Sequence, residues 1–325
     1  MPNPFYLHLL SKILLFSLLL LSFSLLSERL PSSDNGFDLS DTSISREQFL
    51  QGGPPRDGIP ALTEPSFVSA KHATFLSPKS RVIGVSLNAK SKAYPIAILN
   101  YHEIVNDELG GMHLTITFCP LCGTGIAYNA KVGNDILEFG VSGLLYNSDV
   151  LLYDRLTESL WSQMLSKAVS GPMKGKQLNR VPAQHTTWQS WQHKHPDTQV
   201  LSLSTGHRRN YQKNPYGGYD ESNTVYFPVT NSDPRYHNKE VVLTLEINGH
   251  IKAYPFVELA RFKKIKGVNH LQDIVAGQEI IVEFELESRS GRIMNVKGVE
   301  IPSFQAFWFA WIAFHPNSEV FTAKP

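Results

Sequence analysis

Two stretches of this sequence align with each other without a gap, and this internal match constrains the fold more than any other feature. Residues 82–95 match residues 242–255, and Lys-Ala-Tyr-Pro is identical in both. A second pair, 188–196 and 308–316, shares two Trp residues, a His and a Pro at the same spacing. Self-similarity that keeps its order along the chain is typical of a repeated structural unit. The sequence therefore predicts an internal duplication.

The first copy is longer than the second. The offset between the copies is 160 positions at Val82 and Val242 but 120 positions at Trp188 and Trp308, so the first copy contains 40 additional residues. These additional residues fall in or near Phe139–Arg155. We expect the specialised function of the protein to lie there.

Each copy begins with alternating apolar residues on both sides of a turn, which is typical of two paired strands. Asn248-Gly249 is a preferred pair for a type I′ hairpin turn. The Pro that follows each hairpin suits the first turn of a short helix, and further strands are predicted at His113–Phe118 and Glu279–Phe284. The sequence thus predicts a β-rich α+β fold built from a duplicated module with pseudo-twofold symmetry.

The N-terminus differs from the rest of the chain. Residues 13–27 are uncharged and consist mainly of Leu, Phe and Ser. Their length suits a signal peptide, and an extension across Lys12 would make an apolar membrane-anchor helix. We expect an exported protein whose folded part is extracytoplasmic, in the periplasm or at the cell surface. If the segment is not cleaved, the membrane is a partner.

The predicted organisation has five parts. They are a signal peptide or membrane anchor at 1–27, a flexible tether rich in Ser, Asp, Gly and Pro at 28–64, the first copy at 65–205, a linker at 206–240 and the second copy at 241–325. Of all 325 residues 42% are apolar, as in an ordinary globular protein. The formal net charge is +1 without a long run of one sign, so nucleic acid is excluded as a partner.

The chain has two cysteines, Cys119 and Cys122, and both lie in the first copy, in the sequence Cys-Pro-Leu-Cys-Gly. In an exported protein such a pair can form a structural disulfide, serve as a catalytic dithiol or hold a metal. A cross-link across so short a loop adds little stability, and the following Gly-Thr-Gly disfavours a helix start that would lower a thiol pKa. The turn resembles the thiolate turn of rubredoxins and zinc ribbons. It therefore predicts copper or zinc as a cofactor, although all three interpretations stay open.

A metal held by two thiolates needs further ligands. His102 lies in a polar segment just before the cysteine strand, and the second copy has Phe262 at the equivalent position. The predicted metal ligands are therefore Cys119, Cys122 and His102.

Polar and aromatic groups are dense around the additional residues of the first copy. Such a mixture is typical of a ligand pocket, although core packing and local ion pairs explain it equally well. The candidate pocket residues are Asn147, Asp149, Asp154, Arg155, Trp161 and Gln163.

Several long motifs together resemble DUF3179, a bacterial and archaeal family of unknown function. They are YPIAILNYHEIVND, ITFCPLCGTG, FGVSGLLYNSDVLLYDR, SLWSQ and AFWFAWIAFHP, and the similarity spans about residues 65–322. The resemblance implies an N-terminal signal or anchor but no activity. It implies functional positions at His102, Glu103, Asp107, Cys119, Cys122, Asn147, Asp149, Asp154, Arg155, Trp161 and Gln163.

Three functions follow from the sequence. The preferred one is an extracytoplasmic protein that binds a soft transition metal through Cys119, Cys122 and His102. The second is a thiol–disulfide redox enzyme in which His102 or Glu103 moves protons. The third is a scaffold with an inert disulfide. The sequence does not decide whether the chain is an enzyme.

Overall fold

The computed structural model describes residues 34–323 except 263 and 266, and it leaves the side chains of 264 and 265 undescribed. Strands form most of the regular structure. In chain order they are β1 (Leu50–Gln51), β2 (Leu62–Thr63), β3 (Phe67–Ser69), β4 (Arg81–Leu87), β5 (Lys90–Pro95), β6 (Ile104–Leu109), β7 (Met112–Cys119), β8 (Thr124–Asn129), β9 (Lys131–Val132), β10 (Asp135–Ile136), β11 (Phe139–Tyr146), β12 (Asp149–Asp154), β13 (Leu160–Ser162), β14 (Lys167–Ala168), β15 (Asn179–Val181), β16 (Gln184–Thr187), β17 (Gln199–Leu201), β18 (Val241–Ile247), β19 (His250–Pro255), β20 (Lys264–Ile265), β21 (Val268–Val275), β22 (Gln278–Glu285), β23 (Ser290–Asn295), β24 (Glu300–Ile301), β25 (Phe304–Phe307) and β26 (Glu319–Val320).

The helices are short. They are α1 (Ile96–His102), α2 (Trp188–Lys194), α3 (Phe256–Leu259) and α4 (Trp308–Phe314), with 3₁₀ turns at Arg46–Gln48 and Ala70–His72. Within the described part of the chain, no helix has both the length and the apolar character needed to span a membrane.

Five sheets of four or five strands are arranged as the blades of a five-bladed β-propeller. In order of hydrogen bonding, blade 1 is β16-β4-β5-β17-β3, blade 2 is β15-β8-β7-β6-β2, blade 3 is β1-β11-β12-β13-β14, blade 4 is β25-β18-β19-β26 and blade 5 is β20-β21-β22-β23-β24. β9 and β10 form a separate two-stranded hairpin.

The predicted two-module α+β arrangement is wrong. The matching segments form the hairpins β4–β5 and β18–β19, in which Val82 pairs with Pro95 and Val242 with Pro255, and these hairpins belong to blades 1 and 4. The additional residues of the first copy include β11 to β14, which form a blade of their own. Five blades cannot be related in pairs by a twofold axis, because one blade is left over. The predicted N-terminal helix lies outside the described residues.

The segment before β4 is packed against the blades, although it was predicted to be a flexible tether up to residue 64. β1, β2 and β3 add edge strands to blades 3, 2 and 1 in turn. Phe37 and Leu39 are buried in a cluster with apolar residues of blade 3. Pairing an exposed strand edge satisfies its backbone groups, which explains why the described part of this polar segment packs against the sheets. The remaining domain boundaries stay a prediction.

The residues of β11 and β12 in blade 3 do not alternate between apolar and polar, as they would in a sheet with one exposed face. β12 is buried along its whole length, and β11 is buried except at its last residue. A strand that is covered on both faces reads as a continuous apolar run instead of an alternating one.

A buried ion pair joins blade 1 to blade 2. Lys92 of β5 donates to both carboxylate oxygens of Asp107 of β6, each at 2.8 Å from Nζ, and the Tyr94 hydroxyl donates to Asp107 Oδ2 at 2.7 Å. The Lys92 and Asp107 side chains are only 10% and 8% exposed. Asp107, one of the positions implied by the family resemblance, therefore holds two blades together.

The same arrangement joins blade 4 to blade 5. Lys252 Nζ lies 2.9 Å from Asp273 Oδ2, and the Tyr254 hydroxyl donates to the same oxygen at 2.8 Å. These two contacts explain the identical Lys-Ala-Tyr-Pro sequences. Each repeat supplies a cation and a phenol to the carboxylate of the following blade.

Asp107→Asn is expected to destabilise the protein by about 3 kcal/mol, because it leaves a buried ammonium group without its counter-charge. Chemical denaturation measures the free energy of unfolding. Asp273→Asn is the matched control. This variant should lose less free energy of unfolding, because Lys252 keeps a second carboxylate, Glu319, at 2.5 Å. Equal losses in the two variants would contradict this interpretation.

Candidate metal centre

The cysteine turn is held between two blades. It connects β7 to β8, with Cys119 paired to Thr124, and its last residue, Gly123, has φ +60°. Gly suits this left-handed conformation. A Cβ there would also lie 2.8 Å from ring carbons of Phe307 in β25. The Phe307 amide donates to the Cys122 carbonyl oxygen at 2.8 Å, so blade 4 fixes the position of the turn.

A second turn, between β11 and β12, faces the thiols. Asn147 and Ser148 both have positive φ, 51° and 67°, as in the two central residues of a type I′ turn. This conformation directs the Ser148 carbonyl oxygen at the cysteines. Cys122 Sγ lies 3.3 Å and Cys119 Sγ 3.8 Å from it.

Asp149, the residue after this turn, completes a three-residue cluster. One ligand atom from each of Cys119, Cys122 and Asp149 lies within 4.8 Å of the others. Both thiols are free, and all three residues are at most 2% exposed. The cluster therefore brings two sulfurs and a carboxylate to one point in the protein interior.

Some of the buried polar atoms without hydrogen-bond partners belong to Asp149 and to residues near it. Asp149 Oδ2 accepts a hydrogen bond from the Met164 amide at 2.9 Å, and its Oδ1 accepts none from a nitrogen or hydroxyl donor, although both thiols lie close enough to lower the pKa of this carboxyl against the effect of burial. Ser148 Oγ is also unpartnered, as is Gln163 Oε1. Nearly all buried polar atoms in proteins have hydrogen-bond partners. These orphaned oxygens indicate that the site accommodates a further ligand, and a carboxylate beside two thiols is a donor set that suits a metal cation.

Burial determines the protonation of the three residues of the cluster. Desolvation raises the pKa of Cys119, and it raises that of Cys122 well above the usual thiol value. Burial also raises the pKa of Asp149 to about 7. A neighbouring buried carboxyl, Glu103, has a pKa raised to about 8, first by burial and then by repulsion from Asp149. A bound cation would reverse these shifts and release protons.

The segment 206–240, which was predicted to be a linker, packs against the apolar core that contains both cysteines; we call it the covering segment. Its Tyr219 is buried, and the Lys239 ammonium lies 3.8 Å from the centre of the Tyr219 ring. Lys239 is 5% exposed and donates to the carbonyl oxygens of Ser222 and Thr224, at 3.1 and 2.6 Å. Among the described residues no carboxylate lies within ion-pair distance of Lys239. Burial lowers its pKa, whereas negative charge on Cys122 raises it.

The structure does not bring His102, a predicted metal ligand, into the three-residue cluster. It ends α1 and is fully buried. Its Nδ1 donates to the Pro60 carbonyl oxygen, and its Nε2 accepts from the Tyr211 hydroxyl, both at 2.7 Å. Burial lowers its pKa to about 4, so the ring is neutral. Both nitrogens are engaged in holding α1 to the N-terminal and covering segments, and Asp149 takes its place beside the thiols.

Two further predicted pocket residues lie close to the cluster. Asn147 donates to the Ala313 carbonyl oxygen at 3.2 Å and accepts from the Thr230 amide at 2.9 Å, which ties the turn to blade 4 and the covering segment. Gln163 donates to Thr117 Oγ1 at 2.8 Å. Both residues position the backbone around the site.

Three other predicted residues, Asp154, Trp161 and Arg155, make contacts away from the cluster. Asp154, at the far end of β12, accepts from the Trp161 indole N–H at 2.8 Å. Arg155 forms partly exposed ion pairs with Asp57 and Glu138. These three residues are therefore not brought to the cluster.

A family model described as "Protein of unknown function (DUF3179)" matches residues 56–318. Comparison with the curated proteins and with the solved structures finds no match.

Glu103 should make the metal-free protein less stable as the pH rises. The unfolded chain ionises Glu103 near its ordinary pKa of 4.5, whereas the folded protein retains the proton up to about 8. Stability is therefore lost between these values, by at most about 1.4 kcal/mol per pH unit for one group. Glu103→Gln should make this decline shallower in urea unfolding between about pH 5 and about pH 8. The exposed Glu108→Gln is the control, and parallel curves for Glu103→Gln and the unmodified protein would disprove the assignment.

Proposed function

We propose that this chain, which belongs to the DUF3179 family, is an extracytoplasmic protein that holds a transition-metal ion between Cys119, Cys122 and Asp149. The observation that carries the proposal is the convergence of three ligand atoms within 4.8 Å beside an oxygen of Asp149 that accepts no hydrogen bond from a nitrogen or hydroxyl donor. A buried charge or polar atom is costly unless it is paired or coordinates a metal.

The donor set favours zinc over copper. Two thiolates suit both zinc and copper(I), but a carboxylate oxygen is a common zinc ligand and a poor match for the softer copper(I) ion. Three protein ligands also leave a fourth tetrahedral position open, which is a feature of zinc sites that exchange a ligand.

Charge supports the same proposal. Two thiolates and a carboxylate carry three negative charges, and a divalent ion would leave one. Lys239 is a buried cation that lacks an ion pair among the described residues and interacts with Cys122. It would offset the remaining negative charge of the occupied site.

Two alternatives from the sequence are less well supported. A redox dithiol works through a thiolate that is accessible and has a low pKa. Here both thiols are buried and their pKa values are raised. An inert disulfide would join the sulfurs, whereas both cysteines are free.

Export agrees with a metal-holding role. The uncharged residues 13–27 are the basis for placing the folded part outside the cytoplasm, with the membrane as a partner where the segment is retained. In that oxidising environment a pair of neighbouring thiols tends to form a disulfide. A metal bound by both sulfurs would keep them reduced.

The full chain, purified anaerobically without chelator, should contain about one equivalent of zinc per chain by elemental analysis. Cys119→Ser/Cys122→Ser should contain none, and Asp149→Asn should bind zinc at least about tenfold more weakly, because one ligand is lost. Cobalt(II) substitution should give a sulfur-to-cobalt charge-transfer band that the double variant lacks.

Asp154→Asn changes another buried carboxylate of the same strand and should leave zinc affinity unchanged. His102→Gln should also retain zinc. A chain without metal whose thiols oxidise and reduce reversibly would overturn the proposal in favour of redox chemistry. Zinc loss in a folded His102→Gln variant would contradict the ligand set.

A further inference from the structure

A cavity of about 290 Å³ borders the cysteine turn. Strands of blades 1 and 4, turns of blades 2 and 5 and the covering segment line it. Pro120 and Gly123 of the cysteine turn line it, and Arg81, His185 and Arg289 are charged or titratable residues of the same lining. Its volume suits a small molecule.

Arg81 brings an unpaired positive charge to this cavity. Its guanidinium donates to the carbonyl oxygens of Ser288, His185 and Arg289, the latter two at 2.9 and 3.3 Å from Nη2. Carbonyl oxygens satisfy N–H groups but do not neutralise the charge. In the described part of the chain, no carboxylate forms an ion pair with Arg81 or Arg289.

Arg289 adds a second cation from a turn that corresponds to the cysteine turn. Glu285 pairs with Ser290 across a four-residue loop in blade 5, as Cys119 pairs with Thr124 in blade 2. Arg289 occupies the last position of its loop with φ +43°. A side chain in this left-handed conformation costs on the order of 1 kcal/mol, and such strain clusters at functional sites.

The two guanidinium groups repel each other. Burial lowers the pKa of Arg81 to about 10, and the charge of Arg289 contributes to this shift. Like charges held together without a counter-ion are destabilising, and an anion between them would remove the repulsion.

His185 supplies a neutral polar group at the same place. Its Nδ1 is buried without a hydrogen-bond partner, and burial together with the charge of Arg81 holds its pKa well below the usual value. Gln305 donates to the His185 carbonyl oxygen at 2.9 Å, which fixes this strand. The acidic lining residue, Asp220, is exposed.

We propose that this cavity binds a small anion with a carboxylate or an inorganic oxyanion group, held by Arg81 and Arg289 and oriented by His185. Arginine suits such groups because it stays charged and donates several N–H groups. Arg81 Nη2 already donates to two carbonyl oxygens, so the guanidinium of Arg289 is the one that could hold two anion oxygens at once, with Arg81 adding charge. The anion would lie against the turn whose thiols form the candidate metal centre. The proposal does not require that a metal be bound.

Titration calorimetry on the chelator-treated full chain tests this inference with two probes, inorganic phosphate and malonate, at constant ionic strength. If only phosphate binds saturably, the ligand of the cavity is an inorganic oxyanion. If only malonate binds saturably, the ligand carries a carboxylate. Arg289→Gln, which changes an exposed side chain, should weaken binding by roughly tenfold, the effect of losing one charged hydrogen-bonding partner. Arg81→Gln should weaken it at least as much.

Arg208→Gln alters an exposed arginine of the covering segment that does not line this cavity and should bind like the unmodified chain. Thermal unfolding gives a second readout, because a ligand specific for the folded state raises the melting temperature. The probe that binds should raise the melting temperature, whereas chloride at equal ionic strength should leave it unchanged. Failure of both probes to bind, or equal affinity in the Arg289→Gln variant, would overturn the inference. Since the protein is free of metal, either result is independent of the zinc experiment.

Discussion

The contact between neighbouring blades is the constraint on which the rest of this structure depends. A blade has two apolar faces, and its ends become aligned with those of the next blade only if a specific interaction fixes their relative position. The Lys92–Asp107 pair does this between blades 1 and 2, and Lys252–Asp273 does it between blades 4 and 5. A misplaced buried charge is far more costly than a misplaced methyl group, so such pairs specify one arrangement. The two turns that form the candidate metal centre belong to blades 2 and 3, so the packing of the blades also fixes the positions of the turns.

The sequence revealed the local elements of this fold but not their number or assembly. The match around Lys-Ala-Tyr-Pro correctly indicated two hairpins, because strand periodicity and turn residues are local signals. The sequence did not show that β11 to β14 form a separate blade. A blade is defined by which strands pair, and the apolar sequence of a strand buried on both faces does not indicate its pairing partners.

At the site, the Cys119 and Cys122 turn was visible in the sequence, whereas the structure brings Asp149 and not His102 beside the thiols. Proximity along the chain favoured the histidine, but the end of α1 directs it to Pro60 and Tyr211. Asp149 was recognised only as a pocket residue, and its position after a turn of two left-handed residues was the available clue. Ser148 and Lys239 were missed, because a carbonyl oxygen carries no sequence signal and Lys239 lies in a segment without regular structure.

The packing of Phe307 against Gly123 has a consequence for the order in which the protein matures. Blade 4 lies far along the chain from the cysteines, yet its Phe307 amide is bonded to the Cys122 carbonyl oxygen and its ring fills the space beside Gly123. Until blade 4 has been synthesised and has packed against blade 2, the cysteine turn lacks its contacts with Phe307 and the thiols are not yet buried. A nascent chain would therefore present two reactive sulfurs to its surroundings for as long as the second half is incomplete. Binding of the proposed metal ion would then be a late event, because it would have to wait until the ring of blades is complete.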